Sequence, residues 1–300
     1  MNENNENPKK DKPFLLASVI LSAALISVAF IYNTGRKSAD ENYSGEKIAA
    51  NLENAAIPEI RVVLPVVWGN FGKTLIDKGV IDKQKFETLY LKRGELTPEM
   101  KKLLYGDGNE NIIASEDNAG FILNLLWAFG LANKNRILES GPMTDSRYGG
   151  AGRFASTGGW TIAAGDPMDH YSAHELVKLT AEDQEKVERV SKNIYRPCCD
   201  NSTYFPDCNH GMAMLGLLEL LAANKVSEED MYAYALKINS LWFPDTYDAI
   251  ARFLESRKMS LTDADPKIIL GENFSSASGF QKILEQTEPS PVGRGSGCGV

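Results

Sequence analysis

The sequence predicts a mainly α-helical protein: an N-terminal single transmembrane helix followed by a helical-bundle-like globular domain with long loops. Three observations predict it. Residues 14–32 form an uncharged apolar run, two later segments are apolar on every side, and period-two alternation is scarce.

The elements follow in order. Residues 1–13 are polar and read as a disordered cytoplasmic tail. Phe14 to Tyr32 spans 19 residues with no charge, interrupted only by Ser18, Ser22 and Ser27. At 1.5 Å per residue this is roughly 28 Å, close to the hydrocarbon thickness of a bilayer. Eleven of the 19 are Leu, Ile, Val or Phe, and together they favour insertion by roughly 3–7 kcal/mol. A cleaved signal peptide has a shorter core and small residues at its cleavage site, whereas Ile31, Tyr32 and Asn33 follow this one. The reading is a retained signal anchor. Lys9, Lys10 and Lys12 precede it and Arg36 and Lys37 follow it. This slight bias predicts a cytoplasmic N-terminus and a domain outside the cytoplasm, at the cell membrane.

Residues 33–57 read as a juxtamembrane stalk, 58–287 as an α-helical globular domain, and 288–300 as a flexible Gly/Pro-rich tail. The run from Ile60 to Trp68 is apolar but short, and Pro65 argues against a central strand. Helical patterns follow at about 70–78, 83–93 and 98–105, the last with Thr97 before Pro98. Ala119–Ala132 and Gly211–Ala223 are apolar all round except for Asn124 and Glu219. Both are too short to span a bilayer, so they are expected as a buried central pair. Thr180, Ser227 and Asp245 signal the starts of three more helices.

Composition narrows the function. The chain has 300 residues and a net charge of −8, with 40 acidic against 32 basic residues. Nucleic-acid binding needs a basic surface to displace counterions, so no nucleic-acid partner is expected. Between Gly141 and Trp160 lie six glycines, including Gly150-Ala-Gly152-Arg-Phe-Ala155, which fits G-x-G-x-x-A. No apolar strand precedes it and no helix follows, so an irregular loop is expected instead of a phosphate cradle.

Chemistry concentrates in one place. Of four cysteines and three histidines, six fall between His170 and His210. The densest part, Tyr195 to Gly211, joins two helices, with Asp207 or Asn209 expected to cap the second. Three readings compete. Cys198, Cys199, Cys208 and His210 can bind zinc or copper, because thiolate and imidazole suit those ions and four ligands complete a tetrahedron. Cys208, at a helix N-terminus, can instead be a reactive thiolate, with Cys298 in the tail as a mobile partner. Alternatively, Cys208 can pair with Cys198 or Cys199 in a structural disulfide, tightening the loop by about 2–3 kcal/mol. His170 and His174 have i,i+4 spacing, but Ser172 to Glu175 resembles a capping box that leaves His170 outside the helix.

The functional expectation is a membrane-anchored extracytoplasmic protein with a Cys/His loop site for metal binding or thiol redox chemistry. Two alternatives stand beside it. One is a non-catalytic module that binds an unidentified protein or envelope partner, stapled by a disulfide. The other is a cell-envelope hydrolase with Trp160, Trp242 and Phe243 lining a groove.

Overall fold

The computed structural model describes residues 61–287. The predicted tail 1–13, span 14–32, stalk 33–57 and tail 288–300 with Cys298 lie outside the described residues. Helices take 56% of the described residues and strands 8%, so the body is mainly α. Among the described residues no helix is long and apolar enough to cross a membrane.

The chain order is β1 (Val62–Gly69), α1 (Phe71–Asp77), α2 (Lys83–Leu91), α3 (Pro98–Tyr105), β2 (Asn109–Ala114), α4 (Ala119–Ala132) and α5 (Arg136–Ser140). There follow α6 (Ala181–Ser191), α7 (Asn209–Ala223), α8 (Glu228–Trp242), α9 (Pro244–Glu255), α10 (Pro266–Ile269), α11 (Glu272–Ser275) and α12 (Ala277–Leu284). α4 and α7 are the two all-round apolar segments, and they form the buried centre. Their axes meet at two glycines. A Cβ on Gly130 would strike the Met212 carbonyl, and one on Gly216 would strike the Leu126 carbonyl. Backbone meets backbone there.

The remaining helices start where their caps dictate. Thr97 accepts from the Met100 N–H ahead of Pro98, Thr180 and Asp183 close a capping box, and Ser227 accepts from the Asp230 N–H. Each such cap stabilises its helix by about 1 kcal/mol. α6 and α8 pack on the central pair. α9 begins at Pro244, one residue before Asp245, and with Ile269 and Ile283 builds a second apolar cluster around Phe243, Tyr247, Ile250 and Leu254.

The apolar run at 62–69 is a strand after all. It pairs antiparallel with β2 in a two-stranded sheet, and Pro65 lies where the register shifts between Val63 and Val67. Such a sheet has only edges, which tolerate proline. Val62, Leu64, Val66 and Trp68 face the core, whereas Val63 and Val67 are exposed.

The glycine-rich stretch is a chain of single 3-10 turns with neither a strand before it nor a helix after it. Tryptophans pin it down. Trp127 Nε1 donates to the Ser156 carbonyl and Trp160 Nε1 to the Val80 carbonyl, both at 2.7 Å, with ring centroids 4.7 Å apart. Trp160 is fully buried, so it is core and not the wall of a substrate groove. The expected capping box at Ser172 also fails. Ser172 takes a left-handed conformation (φ 50°), its hydroxyl accepts from the Asn135 N–H, and no helix follows.

Candidate metal and thiol centre

The loop between α6 and α7 doubles back on itself. Tyr195 and Ser202 form an antiparallel bridge, and the Thr203 N–H returns to the Ile194 carbonyl at 2.8 Å. Cys198 and Cys199 lie within this turn, and the chain then runs to Cys208 at the mouth of α7. Neighbours hold it from both sides. The Ser156 N–H of the glycine-rich stretch donates to the Asp207 carbonyl, while the Ala277 N–H at the start of α12 donates to the Cys199 carbonyl.

Arg196 organises the interior of this loop. It is 1% exposed and each of its three guanidinium nitrogens donates a hydrogen bond. Nη1 donates to the Asn201 carbonyl at 2.9 Å. Nη2 donates to the Phe205 carbonyl at 2.9 Å and to Asp207 Oδ1 at 2.5 Å, and Nε donates to Cys208 Sγ at 3.0 Å. Gly211 follows from this packing, because a Cβ there would lie 2.6 Å from the guanidinium carbon.

Cys208 itself caps α7. Its sulfur accepts from the Gly211 N–H at 3.4 Å, a role the sequence had suggested for Asp207 or Asn209. Asp207 serves Arg196 and Asn201 instead, and Asn209 Oδ1 accepts from the His210 N–H. The Cys198 thiol, then Cys199, then the Arg196 charge hold Cys208 well below the usual thiol range against the opposing effect of burial. Cys198 is pushed up by its thiol neighbours and by burial. Cys199 is drawn down by Cys198 but pushed up further by Cys208 and burial, to about 11. Of the three thiols, Cys208 is the one whose surroundings favour the thiolate. Burial opposes the Arg196 charge, but the two sulfurs and Asp207 outweigh it and keep the guanidinium ionised.

The four residues expected as one ligand set are brought close but divide into two overlapping groups. Cys198, Cys208 and His210 offer ligand atoms within 4.8 Å of one another, and so do Cys199, Asp207 and Cys208. Cys198 Sγ and Cys208 Sγ are 3.5 Å apart, and Cys199 Sγ is 3.9 Å from the Asn201 carbonyl and 4.0 Å from Asp207 Oδ1. His210 is buried, with its ring 4.4 Å from Phe243 and 5.8 Å from Trp242. Its Nδ1 has no hydrogen-bond partner. All three described cysteines are free thiols. Together these groups form a Cys/His/Asp cluster able to hold a metal ion.

His170 and His174 meet without a helix. Nδ1 of the first lies 3.2 Å from Nε2 of the second, and the other His170 nitrogen faces the Ala164 carbonyl at 3.3 Å. Burial, then Lys78, then His170 lower the His174 pKa. Neither ligand group includes them. A cavity of about 610 Å³ opens between β2 and α3, lined by Asn109, Asn111 and Ser115 among others, and shares no residue with the thiol loop.

Arg196 and Asp207 are the participants that sequence reasoning did not assign to the chemistry. Their one signal was position, inside the cysteine-dense loop. No protein-family model matches this chain, and neither does any curated protein or solved structure, so its chemistry is read from its own atoms.

Proposed function

We propose that the chain is a membrane-anchored helical protein whose 195–210 loop binds one soft or borderline metal ion, zinc or copper, through Cys198, Cys208 and His210. In this reading residues 14–32 are the anchor, the N-terminus is cytoplasmic and the helical body lies outside the cytoplasm. The observation that carries it is the convergence of two sulfurs and a buried imidazole whose Nδ1 is otherwise unpartnered. Two sulfurs bound about 2.3 Å from one tetrahedral ion lie about 3.8 Å apart. The 3.5 Å between Cys198 and Cys208 is close to that.

Charge supports the same reading. Asp207 already neutralises Arg196, and the lowered Cys208 thiol would add a second anion in a largely buried site. A bound cation would balance it. Cys208 would supply a sulfur already turned and readily deprotonated, and Cys198 would release its proton on binding. Arg196 would orient Cys208 and Asp207 would hold Arg196. Three protein ligands leave a fourth position, with Cys199 beside Cys208 on the opposite flank.

The test is elemental analysis with thiol counting on the full chain, purified in detergent under reducing conditions. One equivalent of zinc or copper is expected, lost in Cys198→Ser and His210→Ala variants that keep their helical circular dichroism. Metal well below stoichiometry in folded, fully reduced protein would remove this reading.

A second reading has its own observation, the capping of α7 by Cys208. If the cysteines serve structure alone in a partner-binding module, replacing Cys198, Cys199 and Cys208 together would alter stability and nothing else.

A further inference from the structure

The thiols of this loop are not equivalent as partners for one another. Cys198 and Cys199 are adjacent, so a trans peptide sets their Cα atoms about 3.8 Å apart. That is below the 4.4–6.8 Å that disulfides ordinarily bridge, so the neighbouring pair is a poor one. Cys199 Sγ instead faces the Asn201 carbonyl and the Asp207 carboxylate. Cys198 Sγ lies 3.5 Å from Cys208 Sγ and packs against the second apolar cluster. Closing that gap to a bond of about 2.05 Å asks for roughly 1.5 Å of sulfur movement. The backbone on either side is already fixed, by the Tyr195–Ser202 bridge, by the Ala277 N–H to Cys199 and by the start of α7. Only side-chain rotation is left to bring the sulfurs together.

We propose that Cys198 and Cys208 form a dithiol that closes to an intramolecular disulfide while Cys199 stays free, and that this bond and a bound metal ion exclude each other. The second half rests on the metal reading above; the first half does not. The exclusion is chemical. The same two sulfurs serve both purposes, and a sulfur bonded to sulfur no longer offers the thiolate that zinc or copper(I) requires. The loop would then hold its ion when reduced and release it when oxidised.

The step balances with a small-molecule disulfide such as oxidised glutathione as oxidant. Cys208 Sγ, the sulfur facing the Arg196 and Gly211 N–H donors, attacks one glutathione sulfur and expels the other as a thiolate, which takes up a proton. Cys198 Sγ then loses its proton and displaces the second glutathione from the mixed disulfide. Two protein thiols are oxidised, one glutathione disulfide is reduced, and two glutathione thiols leave.

The test uses the full chain in detergent, reduced, stripped with a chelator and exposed to excess oxidised glutathione. Free thiols are then alkylated and the peptides mapped by mass. A Cys198–Cys208 bridge with Cys199 alkylated is expected. A bridge to Cys199 or Cys298, or mixed disulfides alone, would overturn the dithiol. Cys208→Ser removes the attacking sulfur itself, so Cys198→Ser is the more informative variant and is expected to stop at a mixed disulfide on Cys208. In a second arm, one equivalent of Zn2+ added first should slow bridge formation at least tenfold. An unchanged rate in protein shown to have taken up zinc would overturn the exclusion. Protein that takes up no zinc but forms the bridge would sink the metal reading and the exclusion together, while supporting the dithiol.

Discussion

Helix α7 carries two buried polar centres, and they are built to different rules. Midway along it, the Glu219 carboxylate is fully buried and meets only amides, accepting from Asn133 Nδ2 at 3.0 Å and Asn135 Nδ2 at 2.5 Å. Those amides are themselves fixed. Asn133 Oδ1 accepts from the Leu176 and Val177 N–H groups, and Asn135 Oδ1 from the Ile137 N–H. At the N-terminus, the Arg196–Asp207 ion pair meets the Cys208 sulfur, and the adjoining His210 leaves Nδ1 unsatisfied. The first centre ties the ends of α4 and α5 to α7, and both oxygens of its carboxyl group are taken by fixed amides. The second has sulfurs within reach of one another and an imidazole Nδ1 without a partner. What sets the second centre apart is an unpartnered imidazole nitrogen lying beside cysteine sulfurs, the donor types that suit a soft metal ion.

The sharpest way to break this contrast is at Arg196. Removing the guanidinium in Arg196→Met strands Asp207 and the Cys208 sulfur without their shared partner. A loss of about 3–5 kcal/mol is expected in chemical denaturation. A loss below 1 kcal/mol would mean the N-terminal centre is not held by charge.

Glu219 makes the complementary prediction through pH. Burial pushes its carboxyl well above the ordinary range, against the lowering effect of Asn135 and then Asn133. The folded protein therefore keeps this proton when the unfolded chain has lost it. The stabilisation is fully present below the unfolded pKa of 4.5 and disappears as pH rises through the folded value. Denaturation across that range should show stability falling by up to about 1.4 kcal/mol per pH unit. Glu219→Gln should lack this component of the slope.

A smaller effect is expected where the central helices touch. Gly216→Ala sets a methyl against the Leu126 carbonyl and should cost about 1–3 kcal/mol in thermal or urea unfolding. The smallest change in stability is expected for Cys208→Ser. A hydroxyl caps a helix well, so unfolding should shift by no more than about 1 kcal/mol. Metal retention should nonetheless be lost. That separation distinguishes the sulfur as ligand from the sulfur as cap.

Much of the helical body was legible in the sequence because its signals are local. α3 and α4 begin and end where their caps and apolar runs indicate, and the start of α7 differs by two residues. The sheet was not legible. β1 buries alternate residues only once β2 lies beside it, and the sequence of β2 carries too little apolar character to announce a partner. At the site, crowding of cysteine and histidine pointed to Cys198, Cys208 and His210. It could not reveal that Cys199 takes the other flank, since that depends on where Asp207 and Asn201 arrive. Nor could it reveal Arg196, whose burial is set by four acceptors gathered from across a folded loop.

The close approach of Gly130 and Gly216 has a consequence at a distance. Gly216 stands eight residues from Cys208 along one rigid rod, a lever arm of about 12 Å. A tilt of about 5° at that fulcrum would swing the sulfur by about 1 Å. Two residues without side chains thus set the mechanical tolerance within which Cys208 meets Cys198.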